Sequence, residues 1–261
     1  MKRTYVKLLT VAGLTGCFLF TSCRSAQETT ARYEISKVEG NMITIDSTWD
    51  ANPDKKATTV LKPYKDKVAA MMYEVIGTSE MKMDKGTPES LLSNLVASVL
   101  QEAAAQVLGK PADMGLVNMG GLRNILPKGD ITVGAVFEIL PFENSLCVLT
   151  MKGTDMKRLF KAIASLHGEG VSGIRLEINK KGELLNATIG GKPVVDDQLY
   201  TVATIDYLAD GNGRMDAFLQ AEKRECPEDA TLRGLFLDYV RKQTAEGKII
   251  TSKLDGRITV K

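Results

Sequence analysis

Short strand-like runs and amphipathic helices alternate irregularly along this chain, and that irregularity constrains the fold more than any other feature. A regular strand–helix alternation would predict a doubly wound parallel sheet, and strands alone would predict a sandwich or a barrel. Here the spacings between strands are partly those of hairpins and partly those of crossovers, with glycine-rich turns between them. The pattern therefore predicts an α+β fold in which mixed β-sheets are layered with helices.

Four segments have the apolar spacing of amphipathic helices. The clearest begins at Thr87, a candidate N-cap, followed by Pro88, a candidate first helical residue, and it ends at Gly109. The other helices are predicted at 60–74, where Pro63 breaks the spacing near the start, and at 154–166 and 229–244. The predicted strands are 41–45, 114–118, 146–152, 173–179, 184–189, 200–206 and 257–260.

The first 23 residues have the composition of an export signal. A basic stretch at 1–7 precedes an apolar run at 8–20, which is shorter than the ~20 residues of a membrane-spanning helix. Small residues then precede Cys23, which is predicted to be acylated and to become the mature N-terminus. Cys17 is a second candidate, although it would leave three apolar residues after the cleavage site, and an uncleaved anchor is the remaining alternative.

Acyl chains on Cys23 would hold the protein at a membrane of the cell envelope, since each buried CH₂ group contributes ~0.8 kcal/mol. The predicted location is therefore the periplasmic face or the cell surface. The sequence divides into a lipoprotein signal peptide at 1–22, a tether with short strands at 23–58 and a folded domain at 59–261.

The charge balance gives no support for nucleic-acid binding. The formal net charge is +2, and removing the three positive charges of the signal segment leaves −1. A nucleic-acid-binding domain would need a strongly basic stripe. Nucleic acid is therefore excluded as an expected partner.

No catalytic centre is visible in the residue inventory. A two-metal hydrolytic site needs several nitrogen and carboxylate ligands, yet the chain has one histidine, His167, which is predicted to lie on the surface in a loop. A Ser-His-Asp triad would need the same histidine, and no Gly-x-Ser-x-Gly motif is present. We therefore expect no catalytic residue, metal site or cofactor in this chain.

Two cysteines remain after the signal, Cys147 and Cys226. Cys147 lies in an apolar run, where a buried free thiol is the expected state. A disulfide is possible in an oxidising envelope, but two cysteines far apart in sequence do not imply one.

Four segments, in order, resemble known sequence motifs. Residues 88–95 resemble the helix start Glu-Ser-x-x-Gly-Asn-Leu, and residues 118–123 resemble Asn-Gly-Gly-Gly-Ile-Arg. Residues 136–144 resemble Val-x-x-Val-Leu-Pro-Phe-Gly-Asn, and residues 200–211 resemble Tyr-x-Val-Ala-Thr-x-Asp-Phe-Leu-Ala-x-Gly. Together the four segments resemble the C-terminal domain of the 5'-nucleotidase family. The resemblance covers most of the predicted mature chain and implies the mixed α+β fold of that domain.

The resemblance also implies a nucleotide or nucleoside ligand. In the family, the phenylalanine of the third motif and the later aromatic of the fourth sandwich the base. The asparagine of the second motif touches the edge of the base, and its closing arginine helps to bind the phosphate end. These functions correspond here to Phe142, Tyr207, Asn118 and Arg123.

The chemistry of these residue types agrees with such a site. Asn118 offers a donor and an acceptor, and Arg123 offers a planar fork suited to phosphate. Gly120 and Gly121 are predicted to allow positive φ and close backbone approach after a strand. Asn144, which closes the third motif, is predicted to join the binding residues.

The sequence departs from the family pattern at several positions. The segment 211–214 has no aspartate where the family holds the ribose hydroxyls, and Asp210 lies three positions early. Pro88 replaces an arginine that often precedes the helix start, Met119 replaces a glycine, and Glu143 places a carboxylate beside the expected base pocket. The resemblance therefore predicts base recognition more firmly than ribose or phosphate recognition.

Three functions follow from this combination. The first is the recognition subunit of a split 5'-nucleotidase, with a separately encoded metallophosphoesterase that holds the divalent metal ions. The second is a stand-alone lipoprotein that binds nucleosides or nucleotides without hydrolysing them. The third is a structural lipoprotein whose site has decayed.

Overall fold

The computed structural model describes residues 34–261, which divide into the units 34–53 and 54–261. The predicted signal peptide and Cys23 lie outside the described residues. In the first unit, the 3₁₀ turn Ser47–Ala51 begins where the carboxylate of Asp46 accepts the N–H of Thr48. The predicted strand at 41–45 is wrong: its residues are exposed and pair with no strand in the described part of the chain, so the alternating pattern has no face to bury there.

The second unit is an α+β domain with mixed sheets, as predicted. Its helices are α1 (Lys55–Met72), α2 (Leu91–Ala103), α3 (Ala105–Leu108), α4 (Val133–Ile139), α5 (Gly153–Ser165), α6 (Asp206–Ala209) and α7 (Leu232–Ala245). Its strands are β1 (Val75–Ser79), β2 (Met114–Val117), β3 (Gly129–Thr132), β4 (Leu146–Lys152), β5 (Gly170–Ser172), β6 (Ile174–Ile178), β7 (Leu184–Ile189), β8 (Lys192–Pro193), β9 (Leu199–Ile205), β10 (Lys223–Glu225) and β11 (Ile258–Val260).

Three sheets organise this domain. The central sheet has five strands in the order β10-β4-β9-β2-β5, and only the β9–β2 pair is parallel. A second sheet has the order β11-β6-β7-β8, with β11 parallel to β6, and β1 pairs with β3 as an antiparallel ribbon. This mixture of parallel and antiparallel pairs follows from the irregular order of elements in the sequence.

The core helix α2 packs against β2, β5 and β9 of the central sheet and against α7. Its apolar stripe is buried, including Leu92, Val96 and Leu100. The helix approaches β2 so closely that a Cβ atom on Gly115 would lie 2.2 Å from the carbonyl oxygen of Ala97. Glycine is therefore required at this position for the helix to rest on the sheet.

Two predicted helix boundaries need correction. Helix α2 begins at Leu91 and not at Pro88, because the hydroxyl of Ser90 caps it by accepting the N–H of Ser93 at 3.3 Å. Helix α1 runs through Pro63 without a break, since the helix is exposed around Pro63 and solvent can satisfy the carbonyl that loses its partner. The predicted single helix is interrupted at Ala104: α2 ends at Ala103, and it is the short helix α3 that ends at Gly109, where the left-handed backbone provides the predicted stop.

The expected free thiol at Cys147 is also wrong, because Cys147 forms a disulfide with Cys226. Strand β10 pairs with β4 so that Glu225 lies opposite Val148. The next pair in this antiparallel register is Cys226 and Cys147, whose Cα atoms are 4.2 Å apart. Strand β10 was not predicted from the sequence, so nothing there placed the two thiols side by side.

Candidate functional site

Four segments meet at one edge of the central sheet because of its strand directions. Asn118 follows β2 and Tyr207 follows β9, and these two strands are parallel. Strands β4 and β5 run antiparallel to them, so the residues that precede those strands, Asn144 and Glu169, lie at the same edge. Sequence segments separated by up to 89 positions are therefore brought together by the sheet.

A cavity of about 330 Å³ opens at this edge, within the size range of small-molecule sites. Six of the seven residues that the sequence predicted for ligand binding line it. They are Asn118, Gly120, Gly121, Phe142, Asn144 and Tyr207.

The turn after β2 forms one wall of the cavity. Met119–Gly121 is a single turn of 3₁₀ helix, and Gly120 and Gly121 do not have the positive φ predicted for them. The glycines matter for space instead: a Cβ atom on Gly121 would lie 3.1 Å from Oδ1 of Asn118. That oxygen is buried and accepts no hydrogen bond from residues 34–261. Burying an acceptor without a hydrogen bond costs free energy. A ligand that donates a hydrogen bond to this oxygen would remove that cost and would be bound more tightly.

Two aromatic side chains form further walls. Phe142 is 47% exposed and Tyr207 is 44% exposed, although both line the cavity. Large aromatic side chains normally bury most of their area in a core. Two half-exposed rings beside one cavity therefore offer faces on which a planar ligand can stack.

Asn144 fixes the position of one aromatic wall relative to the other. Its Nδ2 donates to Oδ1 of Asp206 at 3.0 Å, and the same carboxylate oxygen accepts the N–H of Tyr207 at 2.7 Å. The loop that carries Phe142 is thereby joined to the start of α6, which carries Tyr207. Asn144 lines the cavity, but its amide nitrogen serves this connection.

Arg123 is exposed and contacts two of the lining residues. Its guanidinium carbon lies 6.0 Å from the ring centroid of Phe142, and Nη1 donates to the carbonyl oxygen of Gly120 at 3.4 Å. Its own N–H donates to the carbonyl of Ile139. The long side chain therefore places a positive charge next to the phenylalanine, where it can meet an anionic group of a ligand.

Sequence reasoning missed two residues that hold the glycine turn. The ammonium group of Lys85 donates to the carbonyl oxygens of Met119, at 3.3 Å, and Leu122. A carboxylate oxygen of Glu169 accepts the N–H of Met119. Burial raises the pKa of the Glu169 carboxyl to about 7, although the hydrogen bond from Met119 acts in the opposite direction. Neither residue belongs to a motif, so only the strand pairing could have identified them.

Two acidic residues at or near positions where the sequence departs from the family pattern form ion pairs with arginines. Asp210 pairs with Arg224 at 2.6 Å, so its carboxylate is engaged beside β10. Glu143 pairs with Arg233, which balances the charge that the sequence placed beside the base pocket. The Glu-Ser motif is structural: Glu89 accepts the amide of Asn94 at 2.6 Å and the N–H of Asp255 at 3.0 Å.

The remaining chemical groups do not form a metal centre in the described part of the chain. Within residues 34–261, no group of three or more His, Cys, Asp or Glu side chains is placed to hold an ion. His167 is exposed in the turn after α5, as predicted.

Fold and site together define an α+β domain with an aromatic-walled cavity at the edge of a mixed sheet. A family model described as the 5'-nucleotidase C-terminal domain matches residues 74–220, more than half of the chain. The chain therefore belongs to the 5'-nucleotidase C-terminal domain family, as the motifs predicted. The family and its nucleotidase members indicate a nucleotide-related function.

Several relatives are similar over most of this chain. The trifunctional nucleotide phosphoesterase protein YfkN of Bacillus subtilis is 27% identical over 238 residues, which cover 84% of this chain and 16% of the relative. Endonuclease YhcR of the same organism is 28% identical over 188 residues, covering 69% of this chain and 15% of the relative. The crystal structure of the 5'-nucleotidase precursor from Thermus thermophilus superimposes with a TM-score of 0.66 and 26% identity.

That superposition covers 81% of this chain and 44% of the Thermus protein. The chain thus spans less than half the length of each of these three relatives. The match therefore concerns only a part of each relative.

Proposed function

We propose that this chain is the nucleotide- or nucleoside-recognising subunit of a split 5'-nucleotidase, acting with a separately encoded metallophosphoesterase. The observation that carries the proposal is the cavity at the sheet edge. It combines two half-exposed aromatic rings with a buried amide oxygen that has no hydrogen-bond donor among the described residues. A nucleobase supplies two flat faces and edge donors, so it matches both features.

In this proposal the base lies between Phe142 and Tyr207, with its edge against the amide of Asn118. The backbone of Gly120 and Gly121 forms the floor near that edge, and the guanidinium of Arg123 meets the phosphate end. Hydrolysis of the phosphate ester takes place on the partner, which supplies the divalent metal ions and the activated water. This chain needs no cofactor of its own for that role.

Removing the phenylalanine wall is expected to weaken ligand binding strongly. Phe142→Ala should raise the Kd for adenosine or AMP by roughly 5- to 150-fold, because a base–aromatic stack contributes ~1–3 kcal/mol. Isothermal titration calorimetry on the purified protein measures this directly. Tyr73→Ala is the matched control, since Tyr73 is 79% exposed and lies outside the cavity. Equal affinity of both variants for adenosine or AMP, or no binding across a nucleoside panel, would contradict the proposal.

Helix α1 offers a surface for the partner. Five apolar side chains on one side of this helix are more than half exposed, namely Val60, Leu61, Tyr64, Val68 and Met71. At ~100° per residue they form a stripe that a globular domain normally covers. The helix directly precedes residue 74, where the family match begins, and the relatives extend well beyond the matched part. We propose that the metallophosphoesterase covers this stripe.

The partner proposal predicts phosphate release that depends on both proteins. AMP with divalent metal should yield phosphate when this chain is mixed with its metallophosphoesterase, and Leu61→Glu with Val68→Glu should lower that rate by about tenfold or more. Ala70→Glu is the control, because Ala70 is exposed on the opposite side of α1. Adenosine affinity should stay unchanged in both variants. Strong hydrolysis by this chain alone would contradict the split arrangement.

We further propose that the subunit is anchored in the cell envelope through an acylated Cys23. The disulfide between Cys147 and Cys226 supports an oxidising compartment, since structural disulfides are rare in the cytosol. Intact-mass measurement of the protein from a membrane fraction tests this: a mature chain that starts at any other residue would contradict the proposal.

A further inference from the structure

We propose that Arg233 is a positioning residue that holds the phenylalanine wall of the cavity in its binding geometry. The proposal rests on the proposed function, in which Phe142 stacks on a base. Arg233 lies outside every motif that resembles the family, and it does not line the cavity. Its contacts nevertheless reach the loop on both sides of Phe142.

The guanidinium of Arg233 binds three acceptors of that loop. Nη1 donates to the carbonyl oxygens of Leu140 and Pro141, each at 3.2 Å, and Nη2 donates to the carboxylate of Glu143. These acceptors belong to the two residues before Phe142 and to the one after it. The backbone before the phenylalanine and the side chain of the residue after it are therefore held by a single guanidinium group.

Arg233 is itself held rigidly. It is the second residue of α7 and only 8% exposed. Its guanidinium carbon lies 4.1 Å from the ring centroid of Phe137 in α4, the helix that leads into the loop. A planar fork that stacks on one ring and donates in several directions is particular to arginine, and lysine cannot reproduce it.

The backbone at the start of α7 completes the attachment. The N–H of Leu232 donates to the carbonyl oxygen of Asn144 at 2.8 Å, and the N–H of Leu146 donates to the carbonyl of Ala230 at 2.8 Å. The loop is thus anchored from Leu140 to Leu146, while the side chain of Phe142 stays 47% exposed. A ring carried on a loop that is already fixed loses less conformational entropy when a ligand stacks on it, which favours binding.

Glu143 has a defined part in this arrangement. The family pattern has glycine at this position, and the carboxylate supplies Arg233 with a charged acceptor. The replacement that separated this sequence from the family motif therefore strengthens the attachment of the loop. Glutamate here contributes to positioning rather than to ligand contact.

The first measurement compares ligand affinities. Arg233→Lys should raise the Kd for adenosine by about tenfold, because the fork and the stack on Phe137 are lost while the charge is kept. Val240→Ala is the matched control. Val240 is fully buried on the same helix, so shortening its side chain lowers Tm, and this side chain does not contact the loop. A purely structural role of Arg233 predicts the same small change in Kd for both variants, and that result would overturn the proposal.

The second measurement does not depend on a ligand. Trp49 is the only tryptophan, so Trp49→Phe with Phe142→Trp places one fluorophore on the wall. Adding Arg233→Lys should increase the fast component of its time-resolved anisotropy decay, whereas adding Val240→Ala should not. An unchanged decay would overturn the positioning role whatever the affinities are. A faster decay in a protein that binds no nucleoside would uphold Arg233 as a positioning residue and remove the proposed function instead.

Discussion

Loss of the disulfide between Cys147 and Cys226 is expected to lower the free energy of unfolding by about 2–4 kcal/mol. The two cysteines are 79 positions apart. Closing a loop of that length removes conformational entropy from the unfolded chain equivalent to about 4.5 kcal/mol, which sets the upper limit of the effect. A loss of this size is a large fraction of the roughly 5–15 kcal/mol that stabilises a typical domain.

The position of the disulfide adds a local effect. Cys147 is fully buried in β4, and Cys226 directly follows the short edge strand β10. Strand β4 begins two residues after Asn144. The disulfide therefore holds the start of β4, which lies next to the loop that carries Phe142. Reduction should therefore loosen β10 first and the sheet edge at the cavity afterwards.

Urea denaturation followed by circular dichroism measures the change. The double variant Cys147→Ala, Cys226→Ala should have a lower midpoint than the oxidised wild type. Dithiothreitol should lower the midpoint of the wild type and leave that of the double variant unchanged. Equal midpoints for the oxidised wild type and the double variant would show that the bond contributes nothing to stability.

Much of the fold was predictable from local pattern. Strands β4 and β7 have the bounds that the apolar spacing predicted, and helices α5 and α7 lie within a few residues of theirs. Strand β4 and helices α5 and α7 bury a continuous run or stripe, so their own sequence determines them, whereas β7 buries only Ile189. The prediction of a strand at 41–45 failed because no strand within residues 34–261 pairs with this segment.

Several short elements were not predicted, although the equally short β2 and β11 fall within predicted strands. Strands β1, β3, β8 and β10 have between two and five residues each, and they exist because a neighbour supplies hydrogen bonds. Helix α4 has seven residues and leads into the loop at 140–144. A window of so few residues contains too little periodicity to identify, since tertiary contacts determine its conformation.

The residues of the candidate site also fall into a group that could be predicted from the sequence and a group that could not. Residues inside motifs, such as Asn118, Phe142 and Tyr207, could be named from the sequence, and the sheet brings them to one cavity. The residues that hold them, Glu169 and Arg233, lie in no motif. Their roles depend on contacts 50 or 90 positions away, to Met119 and Glu143 respectively. Such contacts arise only from topology, so no reading of local sequence could have identified them.

The second large expected effect concerns Glu169. Its carboxyl should make the free energy of unfolding fall as the pH rises. Burial raises the pKa of its carboxyl from 4.5 to about 7 in the folded protein, so the folded state binds a proton that the unfolded state has released between these values. The contribution of Glu169 to the free energy of unfolding should therefore fall between about pH 4.5 and 7 and stay constant above that range. The full shift corresponds to a loss of up to ~3 kcal/mol at ~1.36 kcal/mol per pKa unit.

Glu169→Gln should remove this pH dependence and raise the stability at pH 8. The amide stays neutral when buried, and its oxygen can still accept the N–H of Met119. Unfolding free energies at pH 5 and pH 8 measure the effect, and Glu228→Gln, which removes an exposed carboxylate, serves as the control. A difference between the two pH values that is the same in Glu169→Gln as in the wild type would contradict the prediction. Because Glu169 holds the turn that carries Asn118, ionisation of this carboxylate acts on the edge of the sheet where the ligand is proposed to bind.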